Sequence, residues 1–323
     1  MMATIKDISN QTHLSISTIS RILNDDTTLN VPVSTRNLVL QTAKELGYVK
    51  KKKKSQMKLG IISWISFEKE REDPYYLQIR QGVEDYCQKN NILAFHYYNG
   101  NIQHQAIDGL ICIGKFDRQT LEDYRKVTPR LVLVDMYLDP IDTCQIVLDF
   151  RNTMKQIINQ CHGTIAYLGG KEYTMTHDLY EDPRKKYFIK YTKEKGLDHC
   201  LILENHFTMD SGYQMTQTLI KNNQLPQILF CANDLIAIGA LKALHDANIK
   251  VPDQVSLIGF DNIPTTNFTN PPLTSVLTPT FDMGQMAARI IYEAFQNKTH
   301  PSRMRISLPC FIVERESFIL KHH

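Results

Sequence analysis

The sequence predicts two units in tandem: a small all-α helix-turn-helix headpiece, then a larger α/β body of two doubly wound lobes. Three observations lead there. The first 48 residues read as three short helices with a three-residue link between the first two. From residue 58 onward, short apolar strands alternate with amphipathic helices, which means parallel sheets covered on both faces. Charge is unevenly placed: residues 1–54 hold nine Lys/Arg against four acids, +5, so the rest of the chain carries −2 of the net +3. Cationic charge gathered in a short segment suits a polyanion, because neutralising phosphates releases condensed counterions.

In the headpiece, Thr4 and Asp7 have capping-box spacing and open a first helix through about Gln11, with Ile5 and Ile8 on one face. Ser15 suits the N-cap of a second helix, Ile16 to Leu23. A third starts near Pro32 and runs to Leu46, with Gly47 as its stop. At 100° per residue Ile19, Ile22 and Leu23 fall together and should pack inward. Ile16, Ser17, Ser20 and Arg21 fall opposite, a short, largely uncharged side able to approach a major groove. There Arg21 could pair with guanine, Ser17 with either base type, and Ile16 with a thymine methyl. An ordinary three-helix cap with a solvated Arg21 fits the same residues.

Residues 49–57 read as a basic hinge. Lys50 to Lys54 repel one another and could supply phosphate affinity, with Met57 as a poor minor-groove wedge; an inert linker is the alternative.

Across residues 58–323 the expected strands are Leu59–Ile65, Ile92–Tyr97, Gly109–Ile113, Leu131–Asp135, Thr164–Leu168, Cys200–Leu203, Ile228–Ala232 and Val255–Phe260. The expected helices are Tyr76–Lys89, Asn152–Cys161, Arg184–Lys195, Gly212–Asn222 and Leu235–Asn248. So many strands fit two sheets better than one. Residues of about 58–160 and 278–306 form the expected N-lobe, and 161–277 with 307–323 the C-lobe. Ligands bind such folds at the carboxyl ends of strands, and with two lobes the cleft is the natural place. Several strands end in polar residues: Asp135, Asn233-Asp234 and Asp261-Asn262. Carboxylates and amides around a cleft suit vicinal sugar hydroxyls, and Arg184 is a plausible fourth member. The competing reading is helix capping, favoured for Asp234 and evenly balanced for Asn233 and Asp261. Trp64, the single tryptophan, is expected to pack in the core or rim.

Other classes find little support. Seven cysteines at 87, 112, 144, 161, 200, 231 and 310 are odd in number and scattered, as reduced buried thiols would be. There is no His-x-x-x-His pair, no Walker loop and no Gly-x-Ser-x-Gly, so neither metal, cofactor nor catalysis is expected. No apolar run approaches the roughly 20 residues of a membrane span. The first residues lack a signal-type stretch, so a cytoplasmic location is expected rather than that of an exported sugar-transport receptor.

Thr4-Ile-Lys-Asp-Ile8, Leu14-Ser-x-x-Thr18-Ile-Ser-Arg21-Ile-Leu-Asn24 and Glu45-Leu-Gly-Tyr48 resemble the headpiece of the lactose/galactose repressor (LacI/GalR) family. Asn233-Asp-Leu-Ile-Ala-Ile-Gly239, Val251-Pro-x-x-Val-Ser-Leu-Ile-Gly-Phe-Asp-Asn-Ile-Pro264 and Pro271-Pro-Leu-Thr-Ser-Val276 are similar to its C-lobe signatures. The resemblance implies a periplasmic-binding-protein-like effector domain and a homodimeric transcription repressor. Its partners would be double-stranded operator DNA and a small sugar. By position it implies base reading by Ile16, Ser17 and Arg21. Thr4, Ser15, Thr18, Ser20 and Asn24 would then lie near phosphates or brace the helices, and Lys50, Lys51 and Lys52 would meet the backbone. It implies effector contacts from Asp135, Arg184, Asn233 and Asp261, with Tyr75 or Tyr76 covering the sugar ring. Asp73-Pro-Tyr-Tyr76 and Ile263-Pro-Thr-x-x-Phe268 most resemble repressors of β-galactoside operons, implying a galactoside effector. Three departures stand out. His13 replaces the turn glycine, the hinge lacks Ala-Arg-x-Leu, and the loop Gly170–Pro183 is longer and more polar than usual, so a wider or remodelled pocket is expected.

Overall fold

The computed structural model describes residues 3–49, 56–100, 102, 106–197 and 200–320. The chain divides into two compact units, residues 1–55 and 56–323. The expected phosphate contacts Lys50, Lys51 and Lys52 lie outside the described residues.

The first unit holds α1 (Ile5–Thr12), α2 (Ile16–Leu23) and α3 (Val33–Glu45). At its start Thr4 Oγ1 accepts the Asp7 N–H at 3.3 Å while the Asp7 carboxylate accepts the Thr4 N–H at 2.7 Å, a complete capping box. His13 ends α1 in the left-handed region (φ 55°, ψ 25°), so the turn is made without glycine. Ile8, Ile19, Ile22, Val39 and Ala43 form the core, the three isoleucines almost wholly shielded. Leu23 packs against it half-buried.

Met57 corrects the hinge expectation. It is buried in the body, in the cluster that includes Leu59 and Ile291, and so cannot be a wedge for DNA. Gln56 is likewise tied to the body, donating to Asn91 at 2.9 Å.

The second unit continues with β1 (Lys58–Ser63), α4 (Phe67–Glu72), α5 (Pro74–Lys89), β2 (Leu93–Tyr98), β3 (Gly109–Ile113), α6 (Arg118–Val127), β4 (Leu131–Val134) and β5 (Cys144–Leu148). Then follow α7 (Phe150–Gln160), β6 (Ile165–Gly170), the ribbon strands β7 (Glu172–Tyr173) and β8 (Leu179–Tyr180), α8 (Pro183–Lys195), β9 (Leu201–Asn205) and α9 (Met209–Lys221). The last elements are β10 (Ile228–Cys231), α10 (Asp234–Asp246), β11 (Ser256–Asp261), a 3-10 turn at Pro264–Phe268, β12 (Thr274–Leu277), α11 (Thr280–Gln296), β13 (Arg305–Leu308) and β14 (Phe311–Val313).

Two six-stranded sheets result. The N-lobe sheet runs β13-β5-β4-β3-β1-β2, all parallel; the C-lobe sheet runs β14-β12-β11-β10-β6-β9, with β14 antiparallel on β12. Strands β3, β4, β5 and β10 are buried along their whole length, as parallel strands under helices on both faces must be. In the N-lobe, α5 and α11 approach so closely that a Cβ on Gly82 would lie 2.0 Å from the Phe281 carbonyl oxygen, and one on Gly284 2.0 Å from that of Ile79. Only glycine allows that crossing.

The chain passes between lobes three times. The second passage follows β12, between Leu277 and Thr280. The first comes between β5 and α7 rather than at 160, because α7 packs on α8 of the C-lobe. The third comes between Leu308 and Phe311 rather than at 306, because β13 completes the N-lobe sheet through Leu308.

Candidate functional site

On α2 the inward residues Ile19 and Ile22 leave Ile16 53% exposed, with Ser17 and Arg21 also on the surface. Ser15 Oγ accepts the Thr18 N–H at 3.1 Å and lies 2.8 Å from the hydroxyls of both Ser17 and Thr18. Asn24 donates to the Ser20 carbonyl at 2.7 Å and reaches its hydroxyl at 3.4 Å, tying down the end of the helix. Thr4 is exposed but engaged in its capping box.

Arg21 has partners that the sequence reading did not identify. Its Nε donates to Asp26 Oδ2 at 2.7 Å and its Nη2 to Thr28 Oγ1 at 3.0 Å. The Thr28 hydroxyl first, and then Arg21, hold the Asp26 carboxyl down at about 2. The guanidinium therefore leaves the helix in a set direction with its side chain 46% exposed.

In the body a cavity of about 470 Å³ lies between the carboxyl ends of the two sheets, within the roughly 300–1,000 Å³ range of small-molecule sites. Strand ends deliver eight of the lining side chains: Trp64 after β1, Lys115 after β3, Asp135 after β4, Phe150 after β5, Glu172 after β6, Phe207 after β9, Asn233 after β10 and Asp261 on β11. Tyr75 and Tyr76 come from the first turn of α5, and Arg184 from that of α8. Six carboxylates (Glu72, Asp73, Asp135, Glu172, Asp182, Asp261) face four cations (Lys69, Lys115, Lys171, Arg184), so the lining is acidic and aromatic.

All six expected effector residues line this one cavity, in different states. Asp135, at φ 65°, already accepts three donors: Tyr75 Oη at 2.7 Å, Tyr76 Oη at 3.1 Å and Lys115 Nζ at 2.6 Å. Arg184 is clamped by Asp182, with Nε 2.9 Å and 3.0 Å from its two carboxylate oxygens, and donates to the Ala232 carbonyl at 2.5 Å. Its guanidinium carbon lies 5.6, 5.1 and 5.5 Å from the ring centroids of Phe150, Phe207 and Phe260. Asn233 caps α10, Oδ1 accepting the Ile236 N–H at 2.9 Å. Asp261 stands apart. Its Oδ1 is buried and meets no hydrogen-bond donor among the described residues, and its backbone is at φ 102°. Burial pushes its carboxyl well up, with Arg184 opposing.

Asp234 is not the cap that its position suggested. It is the first residue of α10, wholly buried, and braces the lobe: Oδ1 accepts Ser275 Oγ at 2.5 Å and Oδ2 the Ile263 N–H at 2.8 Å. Burial raises it to about 7. Trp64 lies at the rim, edge-on to Tyr76 at 6.1 Å, its ring over Gly114, where a Cβ would meet it at 1.7 Å.

Residues overlooked in the sequence supply much of the lining charge. Lys115 is buried beside Asp135; burial lowers its ammonium, but Asp135 and Glu172 outweigh that and the net shift is upward. Asp73 caps α5 through the Tyr75 N–H at 3.0 Å and is raised to about 6, mainly by burial. Glu172, Tyr180 and Asp182 come from the segment between β6 and α8, where the sequence anticipated remodelling. A lysine after a buried strand, Ile113-Gly114-Lys115, was the available signal for the first.

Residues 4–51 match the model for bacterial regulatory proteins of the lacI family, and residues 154–318 that for a periplasmic binding protein-like domain. The HTH-type transcriptional regulator GalR of Streptococcus thermophilus is 35% identical, over 90% of this chain and 92% of its own. Among solved structures, a lac repressor dimer bound to operator and the anti-inducer ONPF superposes with a TM-score of 0.72 at 19% identity, covering 98% of this chain and 99% of the other. A transcriptional regulator CelR–cellobiose complex gives 0.71 at 22%, covering 98% and 100%. With a helical headpiece, a two-lobed body and a regulator this similar along nearly its whole length, the chain belongs to the lacI family of bacterial regulatory proteins, DNA-binding regulators of transcription.

Proposed function

We propose that the protein represses a galactoside-utilisation operon as a cytoplasmic homodimer, releasing or gripping its operator according to a neutral sugar held in the interlobe cavity. The observation that carries the sugar reading is Asp261 Oδ1, a buried acceptor without a donor among the described residues, in a cavity walled by aromatic rings. A sugar offers hydroxyl donors for such a carboxylate and apolar C–H faces for such rings. The buried cations Lys115 and Arg184 are already paired with Asp135 and Asp182, which works against a sugar phosphate needing free cations in a poorly solvated site. Asn233 and Arg184 then frame the ligand with Asp261, while Tyr75 and Tyr76 cover it. Asp135 acts mainly by holding those two rings. The galactoside class rests on the resemblance of Asp73-Pro-Tyr-Tyr76 and Ile263-Pro-Thr-x-x-Phe268 to galactoside-operon repressors.

At the other end Ile16, Ser17 and Arg21 read base edges, Thr4, Ser15, Thr18, Ser20 and Asn24 meet phosphates or brace, and Lys50, Lys51 and Lys52 add phosphate affinity. Two headpieces a helical turn apart read a two-fold operator, which calls for a dimer, as in the lac repressor–operator structure. Sugar alters operator affinity by binding one arrangement of the lobes better than the other. Calorimetric titration with galactose, allolactose, lactose, glucose and galactose 6-phosphate tests this. A neutral galactoside should bind and the phosphate should not; preference for the phosphate, or no sugar binding at all, rejects the reading.

A further inference from the structure

The segment 171–182 leaves β6 and returns to α8, so both of its roots are in the C-lobe. Its side chains, however, are fastened to the N-lobe. Glu172 Oε1 accepts Tyr76 Oη at 3.3 Å, and Glu172 Oε2 lies 3.7 Å from Lys115 Nζ. Tyr180 Oη accepts the Tyr137 N–H at 3.0 Å, and its ring lies under the Lys115 ammonium, 5.0 Å from ring centroid to nitrogen. Met175 and Tyr180 pack on the N-lobe cluster that contains Phe116, Leu121 and Tyr124. The segment is also stiffened within itself: Glu172 pairs with Tyr180 and Tyr173 with Leu179, and at the turn the Thr174 N–H donates to the Asp178 carbonyl at 2.8 Å. A short braced ribbon rooted in one lobe and bonded to the other restrains their separation.

We infer that the β7–β8 ribbon is an interlobe strap, in which Glu172 and Tyr180 are positioning residues that set the aperture of the cavity. Both residues line that cavity, so the strap is one of its walls as well as a tie. The three passages of the chain between the lobes act as a hinge, and a hinge alone leaves the opening angle free. The strap removes that freedom through polar contacts that are largely shielded from water, the Glu172 side chain being 12% exposed and that of Lys115 5%. Ligand entry then requires the strap to release, and lobe closure persists without any sugar.

Trp64, the single tryptophan, lines the same cavity and reports its opening with no ligand present. Full-length protein carrying Glu172→Gln, Tyr180→Phe or both is compared with wild type by acrylamide quenching of Trp64 and by amide hydrogen exchange at Tyr137. The double variant should raise the quenching constant about twofold or more, as local opening exposes the ring, and Tyr180→Phe should speed exchange at Tyr137. Circular dichroism confirms that each variant is folded. If the double variant does not fold, Tyr180→Phe, which loses one hydroxyl and keeps its ring, decides by the same two readouts. Quenching and exchange equal to wild type in a folded variant overturn the strap. Neither readout uses sugar, so failure here is distinct from failure of the galactoside reading.

Discussion

Asp261→Asn isolates the cost and the use of one buried charge. The substitution keeps the size of the side chain, and asparagine tolerates a positive φ better than most residues, so the backbone at φ 102° is not the variable. In wild type the carboxylate is buried with Oδ1 unmatched among the described residues. An unpaired buried polar group costs about 1–3 kcal/mol, more when charged. Removing the charge should therefore stabilise the sugar-free protein by an amount of that order. The sign with pH follows from linkage. Burial raises the folded-state carboxyl well above 3.8. The native state then favours the protonated form, so the penalty is absent below 3.8 and grows as pH rises through the folded value. The advantage of asparagine should be greatest at pH 8 and vanish near pH 4, read as urea midpoints for the two proteins across that range.

Sugar binding should move the other way. Where the carboxyl is ionised, hydrogen bonds to it contribute about 1.5–3 kcal/mol against about 0.5–1.5 for neutral ones, so in that form the variant loses about 1–1.5 kcal/mol. That is roughly a 5- to 15-fold weaker dissociation constant for whichever sugar binds wild type. A variant less stable than wild type at pH 8, a stability difference independent of pH, or affinity within twofold of wild type would each refute the reasoning.

Three further outcomes are expected. Arg21→Ala should lose roughly 1–3 kcal/mol of operator discrimination, about 5- to 150-fold in competition gel shifts, while sugar titrations stay unchanged; loss of both together would contradict the independence of the two units. Ile19→Ala, in the fully shielded centre of the headpiece core, should cost about 2–5 kcal/mol. A unit of about 50 residues holds only some 3–7 kcal/mol in total, so operator binding should fail on mild warming while the body's melting transition holds. Gly82→Ala must push apart α5 and α11, where the added Cβ would lie 2.0 Å from the Phe281 carbonyl oxygen, and should cost about 1–3 kcal/mol or more. Calorimetric melting should show that loss in the body transition alone.

Local chemistry was enough to read the headpiece. Thr4 with Asp7, Ser15 and Gly47 mark helix ends through contacts of a few residues' reach, and the α2 face follows from its period. The body's class followed from strand–helix alternation, and all eight expected strands and five expected helices are present. Several elements went unread, among them the 17-residue helix α11. The helix α6 buries only Leu121 and Tyr124, and β5 carries the buried polar Gln145. Strands β13 and β14, which set the third lobe boundary, are four and three residues long. The cavity divides in the same way. Strand-end position identified Asp135, Asn233 and Asp261 as cavity residues, because chain direction alone delivers them to the carboxyl edge of a sheet. Their states depended on neighbours distant in sequence. Asp135 is engaged by tyrosines 59 and 60 residues away, Asp234 by Ser275, and Asp261 Oδ1 is buried with no donor among the described residues. A sequence specifies which groups arrive at a cleft; hydrogen-bond occupancy and desolvation are properties of the assembled surroundings, and these only the tertiary structure decided.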